Sequence, residues 1–74
     1  MEERLLLRQF LVEGKINQAT ADQLGEKIRE ACGITYAKRA TWSNWLNGRY
    51  APNRWCRDII NKVLTENGYK PIYK

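Results

Sequence analysis

Histidine is absent from all 74 residues, serine occurs once, as Ser43, and cysteine twice, as Cys32 and Cys56. Without histidine no Ser-His or Cys-His couple can be assembled, which removes the commonest activated nucleophiles. Two cysteines alone cannot complete a tetrahedral zinc site. They can pair as one disulfide, but small secreted scaffolds usually carry more, and no signal peptide precedes them; a reducing, cytoplasmic setting is expected. Long apolar runs are missing too. The stretch from Leu5 to Val12 is broken by Arg8 and Gln9 and is too short to span a bilayer, so no membrane partner is expected. A chain of this length holds one compact core and has little left for a deep substrate cavity. Residues 1–74 therefore read as a single domain that is not an enzyme and holds no cofactor and no metal.

What is present is a lopsided charge. Between Gly33 and Thr65 stand six bases, Lys38, Arg39, Arg49, Arg54, Arg57 and Lys62, against the single acid Asp58, which accounts for the whole formal net charge of +5. The rest of the chain is balanced. A one-sided positive field attracts a polyanion, most often nucleic acid or an anionic membrane surface, although a basic surface can also serve solubility alone.

Apolar periodicity predicts four helices and hence an all-α fold. The first starts at Glu2, buries Leu6, Leu7, Phe10 and Leu11, and stops at Gly14. The second has two possible caps. Asn17 can start it with Ile16 and Ala21 as a hydrophobic staple, or Thr20 with Gln23 as a capping box. Either way Ala21, Leu24 and Ile28 share one face with Ala31 or Cys32, the opposite face carries Asp22, Glu26, Lys27, Arg29 and Glu30, and Gly33 ends the segment. In the third helix, closed by Asn47-Gly48, Trp42, Trp45 and Leu46 form the apolar stripe. Tyr36, Ala40, Ser43, Asn44 and Asn47 fall opposite, with Arg39 on the flank, a face that is small, polar and free of acids. Beyond Pro52, which can begin a helix but not sit inside one, the fourth helix repeats apolar residues at Trp55, Cys56, Ile59, Ile60, Val63 and Leu64 and closes at Asn67-Gly68. The extended tail, 69–74, carries Tyr69, Ile72 and Tyr73. It is apolar enough either to fold back on the core or to pair as an arm with a second subunit.

The string Thr41-Trp42-Ser43-Asn44-Trp45-Leu46-Asn47-Gly48-Arg49-Tyr50-Ala51-Pro52 resembles the end of the helix-turn-helix in the lambda-repressor and Cro-like DNA-binding family. Upstream, Leu24-Gly25-Glu26-Lys27-Ile28 is similar to that family's first motif helix, and Gly33-Ile34-Thr35 to its turn. The spacing departs from the family: Gly25 and Gly33 stand eight apart where four is usual, and Gly33 to Trp42 is three longer. Both motif helices, or the loop between them, are accordingly extended by roughly one turn. A recognition helix starting at Thr35 would place Lys38 inside the apolar stripe, where it must snorkel. A start near Lys38 puts that lysine in the first turn, and this later start is favoured.

The resemblance implies a small four-helix domain, a transcriptional regulator of repressor or Cro type, suggestive of a phage or mobile-element source. Lys38, Arg39, Ala40 and Asn44 match its base-reading positions, and asparagine and arginine suit adenine and guanine respectively. Ser43, Asn47, Arg49 and Tyr50 match the helix end and loop that approach the DNA backbone, and Arg54 and Arg57 are further phosphate candidates. The implied partner is double-stranded DNA, bound as a homodimer on a pseudo-palindromic operator. Bland readings stand beside these. The tryptophans are expected in the core, with Trp45 at its edge; Asn47-Gly48 reads equally well as a C-cap; Arg54 and Arg57 as solvated charges; Cys32 and Cys56 as buried small hydrophobes. Two rival functions remain: a DNA-bending excision-type factor, and a protein-interaction module such as an anti-repressor or adaptor. The same basic face with its tyrosines and tryptophans can also take RNA.

Overall fold

The computed structural model describes residues 3–34 and 39–73, with the side chain of Arg39 left out. Among the described residues there are four helices and no strand: α1 (Glu3–Leu11), α2 (Gln18–Ala31), α3 (Arg39–Leu46) and α4 (Arg54–Glu66). The sequence expectation of an all-α, four-helix domain holds. The start of the third helix, and with it the choice between Thr35 and Lys38, lies outside the described residues.

Of the two possible starts for α2, Asn17 is the one used. Its Oδ1 accepts from the Ala19 N–H at 2.7 Å, Ile16 is half-buried against the core, and Ala21 lies within it. At α4 the cap is Asn53, whose Oδ1 accepts from the Cys56 N–H at 2.9 Å, and Pro52 precedes it. α1 ends at Leu11, three residues before the expected stop. Gly14 is still required where it stands, because a Cβ there would collide with the carbonyl oxygen of Phe10.

α2, α3 and α4 close with one device. In each, the N–H after a left-handed glycine reaches back to a carbonyl five residues earlier: Ile34 to Arg29 at 2.9 Å, Arg49 to Asn44 at 3.0 Å and Tyr69 to Leu64 at 2.9 Å. This is the Schellman arrangement, which satisfies helix-end carbonyls and reverses the chain. At Gly48 two demands coincide. Its φ is +73°, and a Cβ would lie 2.6 Å from Leu5 Cδ2 of α1. A side chain here would strain the backbone and push the Leu5 methyl aside, so glycine suits the closure of α3 against α1.

α1 packs on α3 and α2 on α4. Leu7, Leu11, Ala21, Leu24, Ile28, Trp42, Trp45, Cys56, Ile60, Leu64 and Tyr73 share one core, with Cys32 at its margin. Gly25 on α2 marks the approach to α3: a Cβ would sit 3.1 Å from Trp42 Cζ2. Arg29 lays its guanidinium over the same indole, 5.0 Å from the ring centroid, so a residue expected on the solvated face of α2 covers the core instead.

One core expectation fails. Trp55 is 62% exposed. The buried residues of α4 are Cys56, Ile60 and Leu64, and at about 100° per residue Trp55 lies about 140° from the centre of that row. A row of i+4 neighbours drifts about 40° per step, so Ile59 and Val63 rotate towards the core while Trp55, at the start of the row, stays outside.

The tail folds back on its own chain. Asn61 Oδ1 accepts from the N–H groups of Ile72 and Tyr73, both at 3.0 Å, and its Nδ2 donates to the Tyr73 carbonyl at 2.8 Å. Tyr69 meets Phe10 edge to face, with ring centroids 5.4 Å apart.

Candidate nucleic-acid interface

Burying Trp42 and Trp45, which meet edge to face at 6.2 Å, fixes the rotation of α3. Trp45, expected at the edge of the stripe, is only 4% exposed. The opposite side then faces outward: Ala40, Ser43 and Asn47 are exposed and Asn44 is half-buried. The structure thus brings together four of the sequence-predicted residues on one helix face, and α3 has no acidic residue in its first turn or elsewhere. Arg39 is the first described residue of α3, but its side chain, like the whole of Lys38, is outside the described residues.

The polar groups on this face are organised among themselves. Asn47 Nδ2 donates to Ser43 Oγ at 3.3 Å, and Asn44 Nδ2 donates to Tyr50 Oη at 2.7 Å. The turn at Gly48 makes the second bond possible, because it returns the chain so that Tyr50 lies alongside Asn44. Asn47-Gly48 is therefore a C-cap, as its bland reading has it, and also places two side chains of the outer face.

Beyond the helix the basic residues divide. Arg49 and Arg54 are exposed and form no ion pair among the described residues. Arg57, grouped with the phosphate candidates from sequence, is half-buried and donates from Nη1 to Glu3 Oε2. The reason is its position one residue after Cys56, which turns it towards α1 and not outward. A phosphate would have to displace Glu3.

Two residues from the electrically neutral part of the sequence also reach this region. Arg4 Nη1 donates to the Gly48 carbonyl at 3.1 Å and Arg8 Nη1 to the Asn47 carbonyl at 3.4 Å. They cover the negative end of α3 with positive charge. No local signal announces them: they pair across 44 and 39 residues of sequence.

Among the described residues no helix is long and apolar enough to cross a membrane, and no group of three or more His, Cys, Asp or Glu is placed to hold a metal ion. Cys32 and Cys56 are free and buried. Burial, with Cys56 as neighbour and hydrogen-bond partner, pushes the Cys32 thiol up to about 12, so it stays protonated and unreactive. Comparison with protein-family models, curated proteins and solved structures finds no match to this chain.

Proposed function

We propose that this protein is a sequence-specific DNA-binding regulator that inserts α3 into the major groove as the second helix of an elongated helix-turn-helix. The observation that carries the reading is the outward face of α3, Ala40, Ser43, Asn44 and Asn47, acid-free and followed by the exposed Arg49, with Arg54 exposed at the start of α4. A major groove about 12 Å wide admits one helix, and short polar side chains are the ones that reach base edges from it. In this reading Lys38, Arg39, Ala40 and Asn44 read bases, and Ser43, Asn47, Arg49, Tyr50 and Arg54 meet the backbone. Arg57 is assigned to the fold.

Size favours a homodimer. The Cα trace extends 29 × 25 × 21 Å, whereas successive half-sites on one face of DNA lie about 34–36 Å apart. One copy therefore covers one half-site. A transcriptional repressor on a pseudo-palindromic operator fits this arrangement.

The exposed Trp55 favours a second reading, in which the same fold docks a protein. Selection of binding sites from a random double-stranded DNA pool separates the two. Enrichment of an inverted repeat supports the regulator, and a pool that stays random, with no salt-dependent DNA binding, supports the docking module.

A further inference from the structure

An asparagine amide in water turns over freely and presents its oxygen or its nitrogen to a partner with equal ease. Asn44 is held at both ends. Its backbone carbonyl accepts from the Arg49 N–H at 3.0 Å, and its side-chain Nδ2 donates to Tyr50 Oη at 2.7 Å. One of the two amide N–H bonds is thereby used; when it is the one remote from Oδ1, the other N–H and the Oδ1 acceptor are left side by side.

That remaining pair has a definite complement. In the major groove adenine offers an acceptor, N7, beside a donor, N6–H2, while guanine offers two acceptors, N7 and O6. An amide fixed with one donor and one acceptor forward meets adenine with two hydrogen bonds. Against guanine its oxygen faces another oxygen. A freely turning amide has no such penalty, because it can offer nitrogen alone.

We propose that Tyr50 is a positioning residue that locks the Asn44 amide and so makes α3 select adenine over guanine at one operator position. The inference rests on the DNA-reading role of α3. A tyrosine hydroxyl can accept from an amide nitrogen or donate to an amide oxygen, so the lock needs its hydrogen engaged elsewhere. Tyr50 is 49% exposed, and once its hydrogen is donated outward its oxygen can only accept, which holds Nδ2 of Asn44 towards it. A phosphate oxygen is the natural acceptor there. Backbone contact and base reading then share one hydrogen-bond chain, and docking the phosphate tightens the amide that reads the base.

The test is site selection from a random DNA pool by the wild-type chain, Tyr50→Phe, Asn44→Ala and the double variant, with circular dichroism confirming that each is folded. Tyr50→Phe removes one oxygen from a half-exposed ring and leaves the backbone untouched. The expected result is an adenine in the wild-type site that Asn44→Ala no longer requires. Tyr50→Phe should lower the adenine-to-guanine preference at that same position by at least about fivefold, and the double variant should lose no more than Asn44→Ala. If Tyr50→Phe keeps the adenine preference, or weakens preferred and random DNA equally, Tyr50 contacts phosphate only and the lock is overturned while the DNA-reading role stands. An unchanged preference in Asn44→Ala overturns it as well. A wild-type chain that enriches no sequence removes both the lock and the reading beneath it.

Discussion

Tyr73 is 5% exposed, and its hydroxyl has no hydrogen-bond partner among the described residues; the Nε of Arg57 is buried in the same condition. An unsatisfied buried hydroxyl costs about 1–3 kcal/mol relative to a satisfied one, while the aromatic ring itself contributes apolar burial. Tyr73→Phe should therefore leave the domain as stable as before or raise it by up to about 1 kcal/mol, measured by urea unfolding. A loss of stability instead would reveal a bond to that oxygen. The same site shapes the alkaline response. Burial raises the Tyr73 phenol above its ordinary 10.0, with Arg57 opposing and Glu3 and Cys32 adding to the rise; Cys32 moves from 9.0 to about 12. Well below pH 9 both groups are neutral in folded and unfolded chains, so they make stability no steeper there. Above it the unfolded chain releases protons that the folded chain keeps, so stability should fall as pH rises from about 9 towards 12. Thermal melts across this range should decline less in Tyr73→Phe than in the wild type. Equal slopes would assign the decline to other groups.

The helices were legible in the sequence to different depths, for reasons their residues make plain. Glycine-ended segments and the i+4 rows of α2 and α4 are local signals that locate the elements, and the stripe of Trp42, Trp45 and Leu46 locates the outer face of α3. The choice of Asn17 over Thr20 was not local, because both residues can cap a helix and only packing decides between them. Trp55 was misplaced because a six-residue apolar pattern is wider than the face α4 can bury, and hydrophobicity alone does not say which edge is left outside. The Arg4 and Arg8 contacts to the end of α3 had no sequence signal, since they depend on how α1 lies against it. These differences predict a contrast between tryptophans. Trp42, pressed between Gly25, Arg29 and Trp45, should cost about 3–5 kcal/mol on truncation to alanine, enough to unfold most of so small a domain. Trp55→Ala should change stability by no more than about 0.5 kcal/mol. Circular dichroism without DNA distinguishes them, and a folded Trp42→Ala with selective loss of DNA binding would move Trp42 from core to interface. Gly48→Ala, which meets both a left-handed φ and the side chain of Leu5, should lose at least about 1–2 kcal/mol by the same measurement.

Over the whole molecule the formal charge of +5 is sorted by the fold into cations that face solvent and cations that hold the structure together. Arg49 and Arg54 belong to the first group, while Arg57, paired with Glu3, and Arg4 and Arg8, bonded to the end of α3, belong to the second. Charge counting along the sequence cannot make that division, and DNA affinity measured against salt can. Each phosphate neutralised releases condensed counterions, so losing one contact should make the slope of log affinity against log salt shallower by about 0.9. On the proposed DNA-binding role, Arg54→Ala should have this effect and weaken preferred and random DNA alike. Arg57→Ala should keep the wild-type slope and lower stability instead, because it leaves Glu3 without its partner. Titrations at several salt concentrations, paired with urea melts of both variants, read the two effects separately. Equal slope changes in the two variants would place Arg57 on the DNA side, and an unchanged slope in Arg54→Ala would move the phosphate path away from the start of α4.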